Sequence, residues 1–253
     1  MATISVVIPS YNDAVMLRGC LAALARQSRP ADEIIVVDNG STDDTVEVAR
    51  GARVILITQP VRGIFPAMAA GLDAATGDIL ARLDADSIPA PDWLARIEQL
   101  LGSSIGLYAV TGPGEFYGAN ALVHRLGRII WIGGFFWSMG IVLGHPPLFG
   151  SNFAMPREMW LRVRGSVHSS VRRVHDDLDL SWHLEPDMDV LYDPLLQVAI
   201  SARPFATPAA IGRRLSWAYR TLALDFREQS PRRRLLARRR WREAMPDPED
   251  LVS

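Results

Sequence analysis

The stretch GDILARLDADSIP, residues 77–89, is an apolar run that ends in two carboxylates two residues apart. The apolar residues predict a β-strand, and alternation along a strand directs Asp84 and Asp86 to the same side. Pro89 and Pro91 are expected to stop the strand, which places both acids at its carboxyl end. In an open α/β sheet, ligands bind at the carboxyl ends of the strands. A solvated loop rich in acids is the alternative interpretation.

Two hard oxygen ligands on one side of a strand suit a divalent cation. Mg²⁺ and Mn²⁺ prefer oxygen ligands and usually complete their coordination with substrate phosphate. Asp84 and Asp86 therefore indicate a site for Mg²⁺ or Mn²⁺ bound together with a phosphorylated substrate, although such a pair of acids is a weak signal on its own.

The first third of the chain alternates between short runs rich in Ile and Val and helical segments. The sequence predicts strands over 4–9, 33–38, 53–57 and before Asp84, and helices over about 14–27, from the turn at 39–44 through Ala49, and over about 66–75. Near-continuous apolar strands that alternate with helices are typical of a parallel sheet covered on both faces.

The composition is that of one large α/β domain with an appendage. The chain has 253 residues, 49% of them hydrophobic, and its formal net charge of -1 gives no overall attraction to nucleic acid. Cys20 is the single cysteine, which excludes an internal disulfide, and its helical spacing with Leu17, Leu21 and Leu24 predicts burial. The N-terminus lacks a basic region followed by an apolar run, so we expect exposure to the cytosol.

The middle of the chain is apolar and uncharged. No Asp, Glu, Lys or Arg occurs from Ile129 to Pro156, and the apolar centre at 129–144 contains Trp131 and Trp137. A membrane-spanning helix needs about 20 apolar residues, so this shorter segment is not expected to cross a bilayer. The segment 129–149 is either buried against the sheet, a re-entrant loop, or an element in the bilayer interface, where Trp and Phe are common.

The C-terminal tail is rich in arginine. Eleven arginines lie between Arg213 and Arg242, opposed there by Asp225 and Glu228, and apolar residues are interleaved with them. This pattern predicts two basic helices separated at Ser230-Pro231. Basic amphipathic helices favour anionic membrane surfaces, at about 1 kcal/mol per arginine near the surface. RNA binding and a merely solvated face are the alternatives.

Several longer motifs occur together and in order. They are ISVVIPSYND, IIVVDNGSTDDT, GLDAATGDIL, LDADSIPAPDWL, FGSNFAMPREMW and HDDLDLSWHL. As an ordered set, which covers roughly residues 2–205, they resemble glycosyltransferase family 2, whose members are inverting enzymes with the GT-A fold.

The resemblance implies a nucleotide-diphosphate sugar as donor, held at the ends of the first strands. Tyr11 would flank the base or ribose together with Pro9, and Asp38 would accept a hydrogen bond from the base. Asp38 has an alternative role as the residue that forms the turn after its strand. In the family's DxD motif, Asp86 would ligate the metal and Asp84 would contact the ribose or the metal.

The segment HDDLDLSWHL, residues 175–184, matches the family segment that holds the catalytic base. Asp177 falls on the base and Asp176 replaces the usual glutamate. Such a base removes the proton of an acceptor hydroxyl, which typically contributes about 10²–10⁴-fold to the rate. Asn152, Asp176 and Trp182 are assigned to the acceptor side. An acidic helix N-terminus, favoured by the helix dipole, is an alternative that is compatible with this role.

The sequence departs from the family at two places. Ala67-Met68-Ala69 stands where members often have an arginine that meets the nucleotide, and Arg62 or Arg82 is expected to replace it. Arg203 stands where many GT-A enzymes supply a late metal-ligating histidine, so it is expected to hold the diphosphate directly, unless metal affinity is weak. The Gln-Arg-Trp motif of processive synthases is absent, which favours transfer of a single sugar.

Together these observations predict an α/β fold of the GT-A type, a Rossmann-like mixed, mainly parallel sheet with helices on both faces, plus a C-terminal helical tail. Residues 1–205 are expected to form the glycosyltransferase domain and 206–253 a membrane-associating tail. The expected reaction is transfer from a nucleotide-diphosphate sugar to a lipid or lipid-linked glycan at the cytoplasmic face of an anionic membrane, without nucleic acid. Transfer to polyprenyl phosphate and a catalytically inactive GT-A binding protein are the alternatives.

Overall fold

The computed structural model describes residues 1–102, 106–117, 133–203 and 207–244. Its central sheet begins with four parallel strands, namely β1 (Ile4–Ser10), β2 (Glu33–Asp38), β3 (Ile55–Thr58) and β4 (Ile79–Arg82). They lie in the order β3-β2-β1-β4. Because all four run the same way, their carboxyl ends open at one edge of the sheet.

Three further strands complete the central sheet. They are β6 (Leu107–Thr111), β8 (Phe153–Pro156) and β9 (Met188–Tyr192). β8 runs antiparallel between β4 and β6, and β9 pairs parallel with β6, which makes the sheet mixed but mainly parallel. A small second sheet contains β5 (Ile88–Pro89), β10 (Val198–Ser201) and β7 (Gly114–Tyr117) in the order β5-β10-β7.

Helices cover both faces of the central sheet. One face carries α1 (Ala14–Leu24), α2 (Thr45–Arg50) and α4 (Trp93–Leu101), and the other carries α3 (Ile64–Ala74), α6 (Arg157–Val163) and α7 (Asp176–His183). β1 shows the alternation that this requires, because Ile4, Val6 and Ile8 join one core and Val7 joins the other. Cys20 is fully buried in the first core, and burial raises the pKa of its thiol.

A glycine brings α3 close to the sheet. A Cβ atom on Gly71 would lie 2.3 Å from a methyl carbon of Val7 and 2.9 Å from one of Val37. The helix therefore rests directly on β1 and β2, which sets the wall of the cleft above their carboxyl ends.

The predicted strands and helices are present, with shifted ends. β3 begins at Ile55 instead of Arg53, and α1 ends at Leu24 instead of Gln27. The strand that was predicted to reach Asp86 ends at Arg82, and Pro89 lies in the short strand β5 instead of stopping a longer one. The reason is a turn, in which the amide of Ser87 donates to the carbonyl of Asp84 at 3.0 Å.

The tail forms two helices, as its sequence predicts. α8 (Pro208–Glu228) and α9 (Pro231–Ala244) are separated at Gln229 and Ser230. The exact boundary at 205/206 lies outside the described residues. Two of the tail's arginines are not available to a membrane, because Arg234 and Arg238 are 4% and 3% exposed.

Arg234 completes the end of another helix, and Arg238 binds the segment that follows that helix. Arg234 donates to the carbonyl oxygens of Ser181, Trp182 and Leu184, and Arg238 donates to those of Glu185 and Met188. The last carbonyls of a helix have no partner within it, so guanidinium donors there stabilise α7 and attach the tail to the domain.

The apolar middle segment is partly packed and partly exposed. Helix α5 (Gly134–Leu143) buries Leu143, and Phe136 packs against Tyr192 with ring centroids 4.7 Å apart. Trp137 and Ile141 remain 74% and 59% exposed. Trp131 lies outside the described residues. Within the described part of the chain, no helix is long and apolar enough to cross a membrane.

Candidate active site

A polar cleft lies at the carboxyl edge of the central sheet. It has a volume of about 960 Å³ and is lined by residues that follow β1, β2 and β4, by the start of α7, and by the first turns of α8. Of the residues assigned from the sequence, those that line it are Pro9, Tyr11, Arg62, Arg82, Asp84, Asp86, Asp176, Asp177 and Arg203.

Asp84 and Asp86 lie on the turn after β4. The strand-alternation argument for their common side is therefore wrong, although the turn still brings both carboxylates to the cleft. The hydroxyl of Ser151 donates to Asp84 Oδ2 at 2.6 Å, and the hydroxyl of Tyr117 donates to the carbonyl oxygen of Asp86 at 2.8 Å. Both contacts come from distant parts of the chain and hold the turn in place.

Arg82 is the buried cation of the site. Its side chain is 1% exposed, and Nη2 lies 2.8 Å from Asp84 Oδ1 and 2.9 Å from Asp176 Oδ2. The contact to Asp84 is a hydrogen bond, whereas Asp176 Oδ2 accepts none and is held by charge alone. Arg82 thus joins β4 to the start of α7. It lines the cleft, but its guanidinium is enclosed and already lies against these two carboxylates, whereas Arg62 is the more accessible of the two candidates for a nucleotide contact.

The Asp86 side chain is less exposed than that of Asp84, at 16% against 28%. Its Oδ2 lies 3.4 Å from Arg203 Nη2, and the same guanidinium nitrogen donates to Asp13 Oδ1 at 2.8 Å. Burial, together with the negative charge of Asp84, raises the pKa of Asp86 to about 6. Arg203, which is half-exposed, therefore places a positive charge beside the outer carboxylate of the DxD motif.

The first turn of α7 supplies the facing carboxylates. Asp177 Oδ2 accepts a hydrogen bond from the amide of Gly150 at 2.9 Å, and Oδ1 accepts one from the amide of Leu178 at 2.8 Å. Asp176 is 4% exposed, and burial raises its pKa while Arg82 lowers it. Asp177 is therefore the carboxylate of this turn that is positioned for a ligand in the cleft, and Asp176 serves the interior.

Gly150 and Ser151 are site residues that sequence reasoning missed. A Cβ on Gly150 would lie 2.4 Å from Arg82 Nη1 and 3.1 Å from Asp177 Oδ2, so a larger residue there would displace the Arg82 guanidinium. Both residues lie in the motif FGSNFAMPREMW, which marks the segment as part of the family pattern. The motif alone does not predict that they contact Arg82, Asp84 and Asp177.

Tyr11 and Arg62 form the wall at the other end of the cleft. The Arg62 guanidinium carbon lies 3.7 Å from the centroid of the Tyr11 ring, and Nη1 donates to the carbonyl oxygen of Asn39 at 2.7 Å. Tyr11 is 46% exposed, so one face of this stack is open to a planar ligand.

Asp38 serves the turn that follows β2. Its carboxylate oxygens accept hydrogen bonds from the amides of Gly40 at 3.2 Å and Ser41 at 3.0 Å, and its side chain is buried. In this structure Asp38 forms the turn after its strand, which is the alternative role given above. Asn39, the next residue, lines the cleft.

Two acceptor-side assignments are wrong. Asn152 is fully buried, accepts a hydrogen bond from the Trp93 indole at 2.8 Å and donates to the carbonyl oxygen of Leu196 at 2.6 Å, so its amide is used within the core. Trp182 is 2% exposed and packs against Phe226 of the tail, with ring centroids 5.1 Å apart. Neither residue lines the cleft.

Several other residues that line the cleft are basic. The lining residues near Asp177 include His175, Trp217 and four arginines, namely Arg172, Arg173, Arg213 and Arg214. Their positive charge faces the same space as the carboxylates of Asp84, Asp86 and Asp177.

Comparison with solved structures shows which fold this is. A mannosyltransferase from Pyrobaculum calidifontis, solved with GDP-Man and Mn²⁺, superposes with a TM-score of 0.69 at 22% identity and covers 93% of this chain and 68% of its own. Glucosyl-3-phosphoglycerate synthase from Mycobacterium tuberculosis, solved with Mn²⁺, UDP and phosphoglyceric acid, gives 0.61 at 24% identity, over 88% and 78%. The predicted GT-A fold is confirmed.

Curated relatives match less than half of the chain. Glycosyltransferase AglE of Haloferax volcanii is 38% identical over 122 residues, which are 45% of this chain and 40% of the relative. A PGL/p-HBAD biosynthesis glycosyltransferase of Mycobacterium bovis is 39% identical over 105 residues, 39% of this chain and 41% of the relative. The chain thus matches about two fifths of the length of these relatives.

The family assignment rests on a longer match. The sequence model of glycosyl transferase family 2 matches residues 5–143, which is more than half of the chain. This match begins in β1 and includes the turn that carries Asp84 and Asp86. The chain therefore belongs to glycosyl transferase family 2.

Proposed function

We propose that this protein is an inverting, metal-dependent glycosyltransferase that moves one sugar from a nucleotide-diphosphate sugar to a hydroxyl of a lipid or lipid-linked glycan. The observation that carries the proposal is the arrangement of three carboxylates in one cleft. Asp84 and Asp86 lie on the turn after β4, and Asp177 is held by two backbone amides at the start of α7. The similarity to proteins described as glycosyltransferases supports the reaction class.

The donor is proposed to bind with its base against the Tyr11–Arg62 stack. The guanidinium is already fixed by the carbonyl of Asn39, so a base that packs on this pair meets a rigid surface. Pro9 lies at the floor of the same end. Arg203, at the opposite side, is placed to meet the negatively charged diphosphate.

The residues of the turn after β4 fit a divalent cation. Within the described structure, the one hydrogen-bond contact of the Asp86 carboxylate is that of Oδ2 to Arg203, at 3.4 Å, and Asp84 adds a second carboxylate close by. Both offer the hard oxygen atoms that Mn²⁺ and Mg²⁺ prefer. When bound, such an ion stabilises the negative charge that develops on the leaving diphosphate. The neighbours solved with Mn²⁺ support this proposal.

Asp177 is proposed as the catalytic base. The acceptor oxygen forms a bond to the anomeric carbon from the face opposite the diphosphate, and its proton passes to a carboxylate oxygen of Asp177. The bond from the anomeric carbon to the phosphate oxygen breaks, and its electron pair leaves with the diphosphate, so the configuration inverts. The amides of Gly150 and Leu178 fix the carboxylate for this transfer.

A lipid acceptor is supported by the apolar surface beside the cleft. Phe149 lines the cleft, and the ring of Phe136 packs on it with centroids 6.4 Å apart. An apolar hollow of about 850 Å³ lies next to this pair, lined by Trp137, Tyr192 and other residues. A chain of methylene groups that leaves the cleft at Phe149 would meet this hollow.

Transfer to polyprenyl phosphate is a second candidate function. The arginines that line the acceptor end, of which Arg172 and Arg173 are examples, favour an anionic acceptor. A phosphate acceptor is already ionised and needs a strong base less than a hydroxyl does.

Substitutions in the cleft test the reaction. Asp86→Ala should abolish Mn²⁺-dependent binding of the nucleoside diphosphate, measured by titration calorimetry, and leave the fold intact. Asp177→Asn should keep donor binding and lower kcat by about 100-fold or more. Asp44→Asn, on an exposed carboxylate outside the cleft, serves as the matched control.

Three results would change the proposed function. Unchanged Mn²⁺-dependent affinity in Asp86→Ala would overturn the metal assignment. Full turnover in Asp177→Asn would show that Asp177 is not the catalytic base and would favour polyprenyl phosphate as the acceptor. Nucleotide binding without turnover on any acceptor would favour the inactive binding protein.

Peripheral association with the cytoplasmic face of an anionic membrane is part of the proposal. The tail presents exposed arginines next to exposed apolar residues, which include Leu215, Tyr219 and Phe226 on α8 and Leu236 on α9. Such helices bind anionic lipid through charge and buried apolar area, and salt screens the first contribution.

Charge reversal tests the membrane role better than truncation, because Arg234 and Arg238 are buried parts of the domain. The variant Arg232→Glu/Arg233→Glu/Arg240→Glu, on exposed arginines, should reduce flotation with anionic vesicles at low salt.

A matched variant has the same change of charge on exposed arginines of the N-terminal half, Arg26→Glu/Arg50→Glu/Arg53→Glu. Equal flotation of both variants, or none of the unaltered protein, would refute the membrane role and leave the reaction untouched.

A further inference from the structure

Four metal-ligating side chains meet behind the cleft, between α7 and the tail. They are His168 from the segment before α7, Asp179 and His183 one turn apart on α7, and Asp225 near the end of α8. Each offers one ligand atom, and these atoms all lie within 4.8 Å of one another. None of these residues lines the cleft.

Asp225 is the residue that the fold leaves unexplained. It is 0% exposed, and neither of its carboxylate oxygens accepts a hydrogen bond within the described structure. His168 Nδ1 lies 3.5 Å from Oδ1, without hydrogen-bond alignment. A buried carboxylate without partners is costly, so this environment calls for a cation at its oxygen atoms.

The spacing of the ligand atoms suits a tetrahedral ion. Zinc binds nitrogen and oxygen at about 2.0–2.1 Å, so neighbouring ligands of a tetrahedral site lie about 3.3 Å apart. Here His183 Nδ1 lies 3.2 Å from Asp179 Oδ1, and His168 Nδ1 lies 3.5 Å from Asp225 Oδ1. The 2.6 Å between His168 Nδ1 and Asp179 Oδ2 is shorter, as expected for a hydrogen bond that an ion would replace.

Glu228 orients both imidazoles from outside the group. Its Oε1 lies 3.0 Å from His168 Nε2, and its Oε2 lies 3.2 Å from His183 Nε2. A carboxylate that accepts from Nε2–H leaves the lone pair on Nδ1, on the side of Asp179 and Asp225, and this is the usual support of a metal-ligating histidine. His183 Nδ1 also lies 2.8 Å from the carbonyl oxygen of Asp179, an acceptor that it gives up when it ligates.

We propose that His168, Asp179, His183 and Asp225 form a structural Zn²⁺ site. Two imidazole ligands in a group of only four protein ligands favour Zn²⁺ over Mg²⁺ and Ca²⁺, which prefer six or more oxygen ligands. All four positions are filled by protein, which is typical of a structural and not a catalytic site. The ion clamps the tail helix α8 to α7, the helix whose first turn carries Asp176 and Asp177.

Zinc binding to the full chain tests the proposal. The protein is stripped with a chelator, and Zn²⁺ is titrated in the Asp86→Ala background so that the cleft does not contribute. We expect one Zn²⁺ per chain and a thermal midpoint raised by about 5–10 °C at a hundredfold excess over the dissociation constant. Co²⁺ in its place should give the intense visible absorption of a tetrahedral site.

The matched variants are Asp225→Asn, which keeps the shape, and Glu158→Gln, an exposed control on α6. Asp225→Asn should weaken Zn²⁺ binding by more than about 100-fold, beyond the loss of an outer-shell partner, and Glu158→Gln should leave it unchanged. If Asp225→Asn does not fold, His168→Gln takes its place, since His168 lies nearer the surface.

Two outcomes would overturn the site. One is the absence of tight Zn²⁺ binding in the Asp86→Ala background. The other is equal binding in Asp225→Asn or His168→Gln and in Glu158→Gln. Either result would assign the group to a network of protonated imidazoles and carboxylates that needs no metal.

Discussion

Arg82→Met removes the buried cation that joins Asp84 to Asp176. The guanidinium lies within 2.9 Å of both carboxylates, and the side chains of Arg82 and Asp176 are 1% and 5% exposed. Methionine is flexible and apolar and fills much of the same space, so the change is mainly one of charge. The variant leaves two carboxylates close together without their counter-charge.

The magnitude follows from the burial of each partner. Removing one member of a buried ion pair costs about 3–5 kcal/mol. The Asp84 side chain is 28% exposed, so water can solvate it again, and Asp176 carries most of the penalty. We therefore expect the free energy of unfolding to fall by about 3 kcal/mol, near the lower end of that range. For a chain of this size, this corresponds to a thermal midpoint lower by about 6–12 °C.

The loss should depend on pH in a defined direction. Burial already raises the pKa of Asp176, and removal of Arg82 raises it further. A raised carboxyl pKa means that the folded state holds a proton that the unfolded state releases. Stability of the variant relative to the unaltered protein is therefore lost as the pH rises and partly recovered as the pH falls.

Urea unfolding at pH 5 and pH 8 measures this effect. The second substitution in Arg82→Met/Asp176→Asn removes the stranded charge and should recover a large part of the loss at pH 8. Arg26→Met, at an exposed position, is the control. A loss below about 1 kcal/mol, which is the range of an exposed ion pair, would refute the reasoning. So would equal losses at the two pH values or no recovery in the double variant.

Three further substitutions have specific expected results. Gly150→Ala puts a Cβ 2.4 Å from Arg82 Nη1 and should lower kcat by about 100-fold with donor affinity kept. The control Gly165→Ala, which has open space around its Cβ, should leave kcat unchanged, and equal kcat values for the two variants would contradict this prediction. Arg203→Gln should weaken binding of a nucleoside diphosphate about tenfold by calorimetry and spare the monophosphate, and a uniform loss would argue against a diphosphate contact. Burial lowers the pKa of His145 to about 3, so the stability that its neutral form provides is complete above pH 6.5 and is lost as the pH falls through 3. His145→Gln should therefore reduce the change in unfolding free energy between pH 7 and pH 4, measured in urea, by up to about 3 kcal/mol, and parallel profiles would refute this.

The regular elements of this chain follow from local patterns in the sequence. Apolar runs predicted β1, β2 and β4, and the helical spacing around Cys20 predicted its burial in α1. The break at Ser230-Pro231 gave the two tail helices. Such patterns work because each depends on residues a few positions apart, whose side chains must reach one face of a strand or helix.

The roles of polar residues depended on contacts that no local pattern contains. Asn152 lies in a motif beside the active-site segment, yet its amide joins Trp93 to Leu196 within the core. Arg82 follows the alternation of its strand, yet only the packing of α7 shows that Asp176 is its partner, 94 positions away. A buried polar group must be paired wherever the fold brings a partner, so its role is set by packing and not by its neighbours in sequence.

The tail also combines features that local sequence predicts with features that only packing determines. Its sequence alone predicted two basic, amphipathic helices, because charge and apolar spacing are visible in any short window. Only the tertiary structure decided that Arg234 binds carbonyls at the end of α7, and Arg238 those of Glu185 and Met188, while other arginines stay exposed. The same packing brings Asp225 close to His168 and His183, which are remote in sequence. When the apolar face of α8 packs against the domain, the orientation of the helix is set, and this orientation determines which residues its polar side chains contact.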